Sequence, residues 1–446
     1  MTSIKKLAIR GAVWTIAGYG TSQILRFGGN LILTRLLIPE YFGLMALVNT
    51  LRAGIELFSD LGIGQSIVNN KKGDEPAFLN TAWTLQVIRG VVIWLFCLLL
   101  TFPIAKFYND DRLIWLIPIM AFSSVIDGFA STSLHTLQRR IDLGKLTRFD
   151  LLVQILTLAT FIIWTWLTRN ILALALGVLA GALYRTVGSF WLIRGYSNRF
   201  AWEPDAFKEL LSFGRWMFMA SAVTFLNDQA DRLILGKLLS FQILGVYTIA
   251  YTLACVPKEI IKHLSYRVIF PTISNHVDLP RVNLRAKILR QRRLLLAGFA
   301  IFLAALVTVG DLVIAVLYDK RYSEATWMMP ILCCGVWFSM LFHTISPALL
   351  AIGKPLYSAQ SNLAGFAMIL LGLPFAFFHF GIVGAIIVIA LSDMPLYLVN
   401  LYGLAREKFS SFAQDIQATA FFIAVLVLFL LIRNYLGFGL PIQAIL

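Results

Sequence analysis

Apolar residues run along this chain in stretches of about 20, long enough as α-helix to cross the roughly 30 Å hydrocarbon core of a bilayer. Thirteen such stretches are expected, near 11–36, 41–67, 79–104, 113–135, 149–168, 171–193, 212–236, 243–263, 294–317, 327–351, 359–379, 382–403 and 416–433. The remainder, Leu436 to Leu446, is too short to count as a fourteenth. Polar positions inside the stretches follow a helical rhythm. In the first, Tyr19, Ser22, Gln23, Arg26 and Asn30 recur at steps of three or four, which lays them on one helix face. In the second, Asn49, Arg52, Glu56 and Asp60 form a stripe whose last three members step by four. The third carries Asn80, Gln86 and Arg89, and the fourth Ser124, Asp127, Ser131 and His135.

The pattern also repeats over a longer period. The run from Leu31 to Leu37, with Gly43 six residues on, returns from Leu233 to Leu239 with Gly245 six residues on, a shift of 202. The same shift pairs Trp14 with Trp216 and Thr50-Leu51 with Thr252-Leu253. Further on, Trp115-x-x-Pro118-Ile119 answers Trp327-x-x-Pro330-Ile331, now at a shift of 212. The extra residues are expected in a long basic loop after Tyr266. A membrane unit repeated in the same order is a transporter pattern.

Composition agrees. With 59% hydrophobic and 14% charged residues among 446, the chain is too apolar for an ordinary soluble domain. The net charge of +15 raises nucleic acid as a partner, but its placement excludes that reading. If the N-terminus is cytoplasmic, roughly 23 Lys and Arg fall on the inner side against about 8 outside, the bias of cytoplasmic loops. Lys5, Lys6 and Arg10 ahead of an apolar run look like a signal peptide. That run exceeds a typical signal core and carries Arg26, so an uncleaved first helix is expected. Cys97, Cys255, Cys333 and Cys334 lie within expected spans without metal-ligand spacing and read as packing residues. No HExxH, GxxxxGK[ST] or GxSxG motif occurs, so zinc hydrolysis and direct ATP use have no sequence basis.

The candidate chemistry lies in the charges at bilayer depth, each of which costs about 2.5 to 3.5 kcal/mol even on the lenient insertion scale. Arg26, Arg52 and Arg89 come from three helices of the first half. Guanidinium groups suit phosphate through bidentate hydrogen bonds, so a phosphate or diphosphate is the expected ligand. For Glu56, Asp60 and Asp127 two readings stand side by side: structural neutralisation, as in the i, i+4 pair Arg52–Glu56, or a place in the cavity or in cation coupling. In the second half Asp228, Asp231 and Arg232 share a face, with an internal Asp228–Arg232 pair as the bland alternative. Under the 202 shift Asp228 occupies the place of Arg26, and Lys258 that of Glu56, so matched depths carry inverted charge. Lys258, Glu259 and Lys262 can also be read as snorkelling side chains. The stretch from Lys262 to Arg293 reads as the longest non-membrane segment, a basic surface for anionic lipid and a topology signal. Pro257, Pro271, Pro330, Pro347, Pro374 and Pro395 are expected to bend second-half helices.

Arg35-Leu36-Leu37-Ile38-Pro39-Glu40-Tyr41-Phe42-Gly43-Leu44, followed by Asp60-Leu61-Gly62-Ile63-Gly64, resembles the opening signature of the polysaccharide transporter (Wzx-like oligosaccharide flippase) family. Asn227, Asp231, the run Leu233 to Leu238, Gly245-Val246-Tyr247, Ala250-Tyr251, Pro257 and Phe270-Pro271 are similar to its second-half signature. The resemblance spans nearly the whole chain. It implies an all-α polytopic membrane protein of two pseudo-symmetric six-helix lobes, assigned to 1–200 and 201–405, with 406–446 as one or two extra C-terminal helices. It also implies alternating access and a polyprenyl-diphosphate-linked oligosaccharide as cargo. By likeness to lipid II flippases of the same superfamily, Arg26 and Arg52 match arginines of the first and second helices. Lys258 stands near an arginine of the eighth.

The leading expectation is therefore a flippase of the prokaryotic cytoplasmic membrane, not an enzyme, holding the diphosphate in a cavity between lobes. It would need no cofactor beyond a coupling Na+ or H+, for which Asp60, Asp127, Asp228 and Asp231 are the candidate sites. Membrane lipids and polysaccharide polymerase or glycosyltransferase machinery are the expected partners. A cation-coupled drug-type exporter is the alternative on the same fold. A membrane glycosyltransferase or polymerase fits less well, because the outer loops are short and Asp110-Asp111 reads as a solvated turn.

Overall fold

The computed structural model describes residues 4–58, 62–140, 142–193 and 197–441. It contains helices and turns, with no strand among the described residues. The helices in chain order are α1 (Ile4–Leu36), α2 (Pro39–Phe58), α3 (Ile63–Asn69), α4 (Pro76–Tyr108), α5 (Leu113–Gly128), α6 (Ser133–Arg139), α7 (Leu143–Thr168), α8 (Ile171–Ser189) and α9 (Pro204–Leu238). There follow α10 (Phe241–Ala254), α11 (Val256–Leu264), α12 (Phe270–Ser274), α13 (Arg281–Leu317), α14 (Ala325–His343), α15 (Ser346–Ala351), α16 (Leu356–Ala367), α17 (Leu373–Leu391), α18 (Asp393–Arg406) and α19 (Phe412–Tyr435). Within the described residues the thirteen expected crossings fall mostly on helix, some on one helix and others across two or three consecutive ones. Seven described helices are long and apolar enough to cross a membrane outright, or nine if each of two bent pairs counts once. The protein is a multi-pass membrane protein.

The chain divides into two compact units, residues 1–222 and 223–446, each with the same order of elements. A long helix leads each (α1, and α9, within which the boundary falls), a broken crossing follows (α2–α3, α10–α12), then a long helix (α4, α13), a bent one (α5–α6, α14–α15) and a helical pair (α7–α8, α16–α18). In the second unit that pair is hidden within a 51-residue helical run, Leu356–Arg406. Gly381 breaks the run at φ 63° and ψ −152°, a conformation that only glycine adopts without strain. The repeat extends to the loops. Asp110 accepts from its own Arg112 amide at 2.8 Å and pairs with the Arg112 guanidinium, and Asp319 does the same for Arg321, with an amide bond of 2.9 Å. The first of these turns is therefore closed by an ion pair rather than merely solvated, and Arg112 also reaches Glu40 at 2.6 Å.

The basic stretch after Tyr266 is not a loop. It continues α11 through a π-helical turn at Ser265–Ile269 into α12, and α13 starts at Arg281. A second π turn, Met368–Gly372, precedes Pro374 as the first precedes Pro271. Proline leaves the carbonyl four residues back without a donor, and here that carbonyl falls inside the wider turn.

In the first unit, α4 and α5 approach until a Cβ on Gly90 would lie 2.4 Å from the Ser124 carbonyl oxygen. α5 and α6 meet at 60°. The Gln86 amide fills that corner, donating to the carbonyls of Asp127 (3.1 Å), Gly128 (3.2 Å) and Ala130 (3.1 Å). The segment ahead of α9 lies along the start of α4, where the Arg199, Ala201 and Glu203 amides donate to Asn80, Thr84 and Thr81 side chains at 3.0 to 3.1 Å. Glu209 then accepts from Asn70 at 2.7 Å and Lys72 at 3.0 Å.

In the second unit α19 is fastened to α13 at two places. Arg292, 2% exposed, donates to Thr344 (2.8 Å), Gln414 (3.1 Å), the Leu341 carbonyl (2.9 Å) and Asp415. Asp415 in turn accepts from Tyr397 and Ser411, each at 2.7 Å. Arg292 is thus a buried core residue, not part of the solvated basic segment expected from its sequence neighbours. Further along, Arg433 forms a two-pronged pair with Asp311, both bonds 2.6 Å. Between them Trp337 stacks on Phe422 with centroids 4.7 Å apart.

Two outcomes follow from these ties. Asp415→Ala leaves the Arg292 charge buried and unpaired, and should destabilise the detergent-solubilised protein by about 3–5 kcal/mol. The double change Arg292→Met with Asp415→Leu should melt closer to wild type than Asp415→Ala, as a thermal-shift series would read. Hydrogen bonds from Asn70 and Lys72 hold the Glu209 carboxyl below the usual glutamate range, and the Glu209 bond raises Lys72. A depressed carboxylate contributes only above its unfolded pKa and loses that contribution as pH falls through its folded value. Lys72, raised, keeps its contribution until strongly alkaline pH. A spin label at Lys208 should therefore gain mobility between neutral pH and about pH 4 in wild type, and not in Glu209→Gln.

Candidate functional site

The polar stripes of the first unit resolve into one joined cluster and one isolated cation. Arg52 on α2 donates through Nη1 to Glu56 Oε1 at 2.6 Å and lies 3.5 Å from Ser123 Oγ. Ser124 Oγ donates to the same glutamate oxygen at 2.8 Å, and Arg89 Nη2 on α4 donates to the Glu56 carbonyl at 2.7 Å. The i, i+4 spacing brings Arg52 and Glu56 together on one face. The close α4–α5 packing at Gly90 sets the Arg89 and Ser124 side chains on either side of them. Arg52 and Glu56 are 22% and 30% exposed, so the pair keeps one open side. Arg52 Nη2 makes no hydrogen bond to a described residue. Asp127, one turn beyond Ser123 on α5, has its Oδ1 buried with no donor among the described residues.

Arg26 stands apart from this cluster. α1 packs on α7 through Ser22, which exchanges hydrogen bonds with Gln154 at 2.6 and 2.9 Å, and through Gly29 against Leu158. Gln23 and Tyr19, on the flank, bond each other at 2.7 Å. Arg26 lies on that flank, exposed, with no hydrogen bond or ion pair to a described residue, and Asn30 beside it is half-buried. A lone guanidinium at this depth must face water or an anion. Asp60 lies outside the described residues.

The second unit pairs both of its candidate lysines instead. Lys258, expected to reach ligand, pairs with Asp393 at 2.7 Å, and the two side chains are only 15% and 11% exposed. Asp228 pairs with Lys262 at 2.9 Å and accepts from Asn227 at 3.2 Å, so the Asp228–Arg232 pair weighed from the sequence does not form. Arg232 instead bonds Gln229 and sits 5.3 Å over the Tyr251 ring. Asp231, 3% exposed, accepts from Tyr247 through one oxygen, while its Oδ1 is buried without a donor. Lys258 and Lys262 are therefore anchored cations, not snorkelling ones.

Two residues that belong to this account went unnoticed in the sequence. Asp393 sits inside an expected span, 135 positions from its partner Lys258. Arg185 sits in the last turn and a half of α8, exposed, with no bond to a described residue. The criterion that singled out Arg26, a charge inside an apolar stretch, applies equally to both. No cluster of three or more His, Cys, Asp or Glu suited to a metal occurs among the described residues. The first unit thus offers guanidinium donors with spare capacity, chemistry fitted to binding an anion.

Comparison with known proteins agrees with the architecture. The chain is 22% identical over 363 residues to the teichuronic acid biosynthesis protein TuaB of Bacillus subtilis (strain 168), covering 79% of this chain and 73% of the relative. It is 24% identical over 348 residues to the lipopolysaccharide biosynthesis protein WzxC of Escherichia coli (strain K12), covering 74% and 67%. Its fold is similar to that of the lipid II flippase MurJ in an inward closed conformation, with a TM-score of 0.69 at 12% identity over 95% of this chain and 99% of that one. A family model described as polysaccharide biosynthesis protein matches residues 32–327, about two thirds of the sequence, and the chain belongs to that family.

Proposed function

We propose that this protein is a flippase that carries a polyprenyl-diphosphate-linked oligosaccharide from the inner to the outer leaflet of the cytoplasmic membrane, for surface polysaccharide biosynthesis. Family membership and relatives named for teichuronic acid and lipopolysaccharide support the cargo class. A fold shared with a lipid II flippase supports translocation rather than bond chemistry. The observation that carries the reading is the pair of guanidinium groups in the first unit that are not used up by the protein: Arg26, exposed and without a described partner, and Arg52, held by Glu56 with Nη2 free.

No covalent step is needed. The diphosphate takes charge-assisted, two-pronged bonds from Arg26 and Arg52 while the polyprenyl tail stays in lipid. Glu56 keeps Arg52 aimed when no ligand is bound and moderates the local positive charge, which favours release as well as capture. Alternating access would open the head-group site first to the cytoplasm and then to the outside, with the N-terminus cytoplasmic as the Lys and Arg bias suggests. For coupling to a cation gradient, Asp127 and Asp231 are the better candidates of those within the described residues. Each keeps a buried oxygen without a donor, whereas Asp228 is neutralised by Lys262. Family membership weighs against a drug-type exporter.

Arg26→Ala and Arg52→Ala should each lower surface-glycan export in a complementation assay on the order of tenfold or more at unchanged protein abundance. Arg52→Lys should recover only part, because an ammonium lacks the two-pronged fork. Full export by both alanine variants would remove the diphosphate clamp. Deleting the gene should make polyprenyl-linked sugars accumulate on the inner leaflet, as mass spectrometry of sided membrane extracts would detect. Unchanged levels would remove the flippase reading itself.

A further inference from the structure

A second cation in the first unit lies outside everything assigned so far. Thr186 Oγ1 donates to the Ile126 carbonyl at 2.8 Å, which seats α8 on α5. The residues next in sequence, Arg185 and Asp127, therefore share one level. α2, α5 and α8 belong to the second, fourth and sixth crossings and run in one direction. Arg52, Asp127 and Arg185 fall 13 or 14 residues from the starts of these helices, about 20 Å along each. Arg185 is within electrostatic reach of Asp127 on α5, His135 on α6 and Asp150 on α7, and Asp127 is within reach of Arg52 and Glu56 on α2. Yet no acid among the described residues forms an ion pair with Arg185.

The chain itself shows what a structural arginine looks like. Arg292 and Arg433 are 2% and 5% exposed and spend their donors on carboxylates, carbonyls and side-chain oxygens. Arg185 shares neither property. A guanidinium has five donors and no acceptor, and at this depth those donors need water or an anion. Asp127, with one buried oxygen lacking a donor among the described residues, is a counter-charge within electrostatic reach but is not bonded to it.

We propose that Arg185 is a further ligand-contacting residue, which binds oxygen anions of the diphosphate at the level of Arg52, with Asp127 as its counter-charge when the site is empty. This rests on the reading of the head group as a diphosphate. Two cations on separate helices recognise a diphosphate better than a monophosphate, because each can take one phosphoryl group. A phospholipid phosphate offers only one.

The test is equilibrium binding of farnesyl diphosphate and farnesyl monophosphate to the full-length purified protein, in wild type, Arg26→Ala and Arg185→Ala. Arg185→Ala should weaken diphosphate binding on the order of tenfold to a hundredfold and monophosphate binding by less, narrowing the preference between them. If Arg185→Ala binds the diphosphate within about twofold of wild type while Arg26→Ala is weakened, Arg185 is no ligand contact and the functional reading stands. If wild type shows no saturable diphosphate binding, both readings fall. Should Arg185→Ala elute as aggregate, the near-isosteric Arg185→Gln replaces it. If that variant also fails to fold, Arg185 holds the structure and the proposal is wrong.

Discussion

Hydrocarbon does not solvate charge, and the placement of every ionised side chain in these helices follows from that. A guanidinium or ammonium at bilayer depth is tolerable if an acid neutralises it at close range, or if it faces water or an anionic ligand. Both solutions occur. Lys258, Lys262, Arg292 and Arg433 take the first, each closed on a carboxylate at hydrogen-bond distance. Arg26 and Arg185 are exposed with no acid partner among the described residues, and Arg52 stands between, paired to Glu56 and 22% exposed. The distinction separates residues that hold the protein together from residues available to a ligand, and it does so by satisfaction of donors, not by charge alone.

The duplicated architecture makes that contrast sharper. Both units use the same succession of a long helix, a broken crossing, a long helix, a bent crossing and an antiparallel pair, and both close an outer turn with an aspartate and the arginine two residues on. At positions matched by the 202 shift, however, the first unit has Arg26 and Glu56 where the second has Asp228 and Lys258. Divergence therefore changed the electrostatics and left the scaffold. The first unit holds cations without an acid partner among the described residues, and the second pairs Lys258 and Lys262 with Asp393 and Asp228.

Much of this was legible from the sequence, and what was not has a common cause. Crossings and the internal repeat are periodic or local signals, so the long apolar helices fall where apolar runs predict them, whereas α12 and the start of α13 do not. Gln86 and Arg52 were visible as polar positions inside spans. Their partners were visible only where these lay one helical turn away, as Glu56 does. Lys258 with Asp393 and Arg292 with Asp415 are 135 and 123 positions apart, and no spacing rule connects them. The segment from Lys262 to Arg293 was misread as a loop because its charge density suggested solvent. Helices there extend beyond the hydrocarbon, and Arg292 faces inward from one of them. The fold of the site was therefore largely readable, but the question of which cations are free was decided by tertiary contacts.

The fastening of α19 has a bearing on biogenesis. Arg292 and Asp311 both lie on α13, yet their partners Asp415 and Arg433 are synthesised more than a hundred residues later. Until α19 leaves the ribosome, α13 carries two charges without these partners, so this unit cannot settle helix by helix in order of emergence. A stop ahead of Asp415 would strand both charges, and a stop between Asp415 and Arg433 would strand Asp311 alone. Quality-control proteases that survey intramembrane polarity would find a ready mark on a chain stopped between α13 and Arg433.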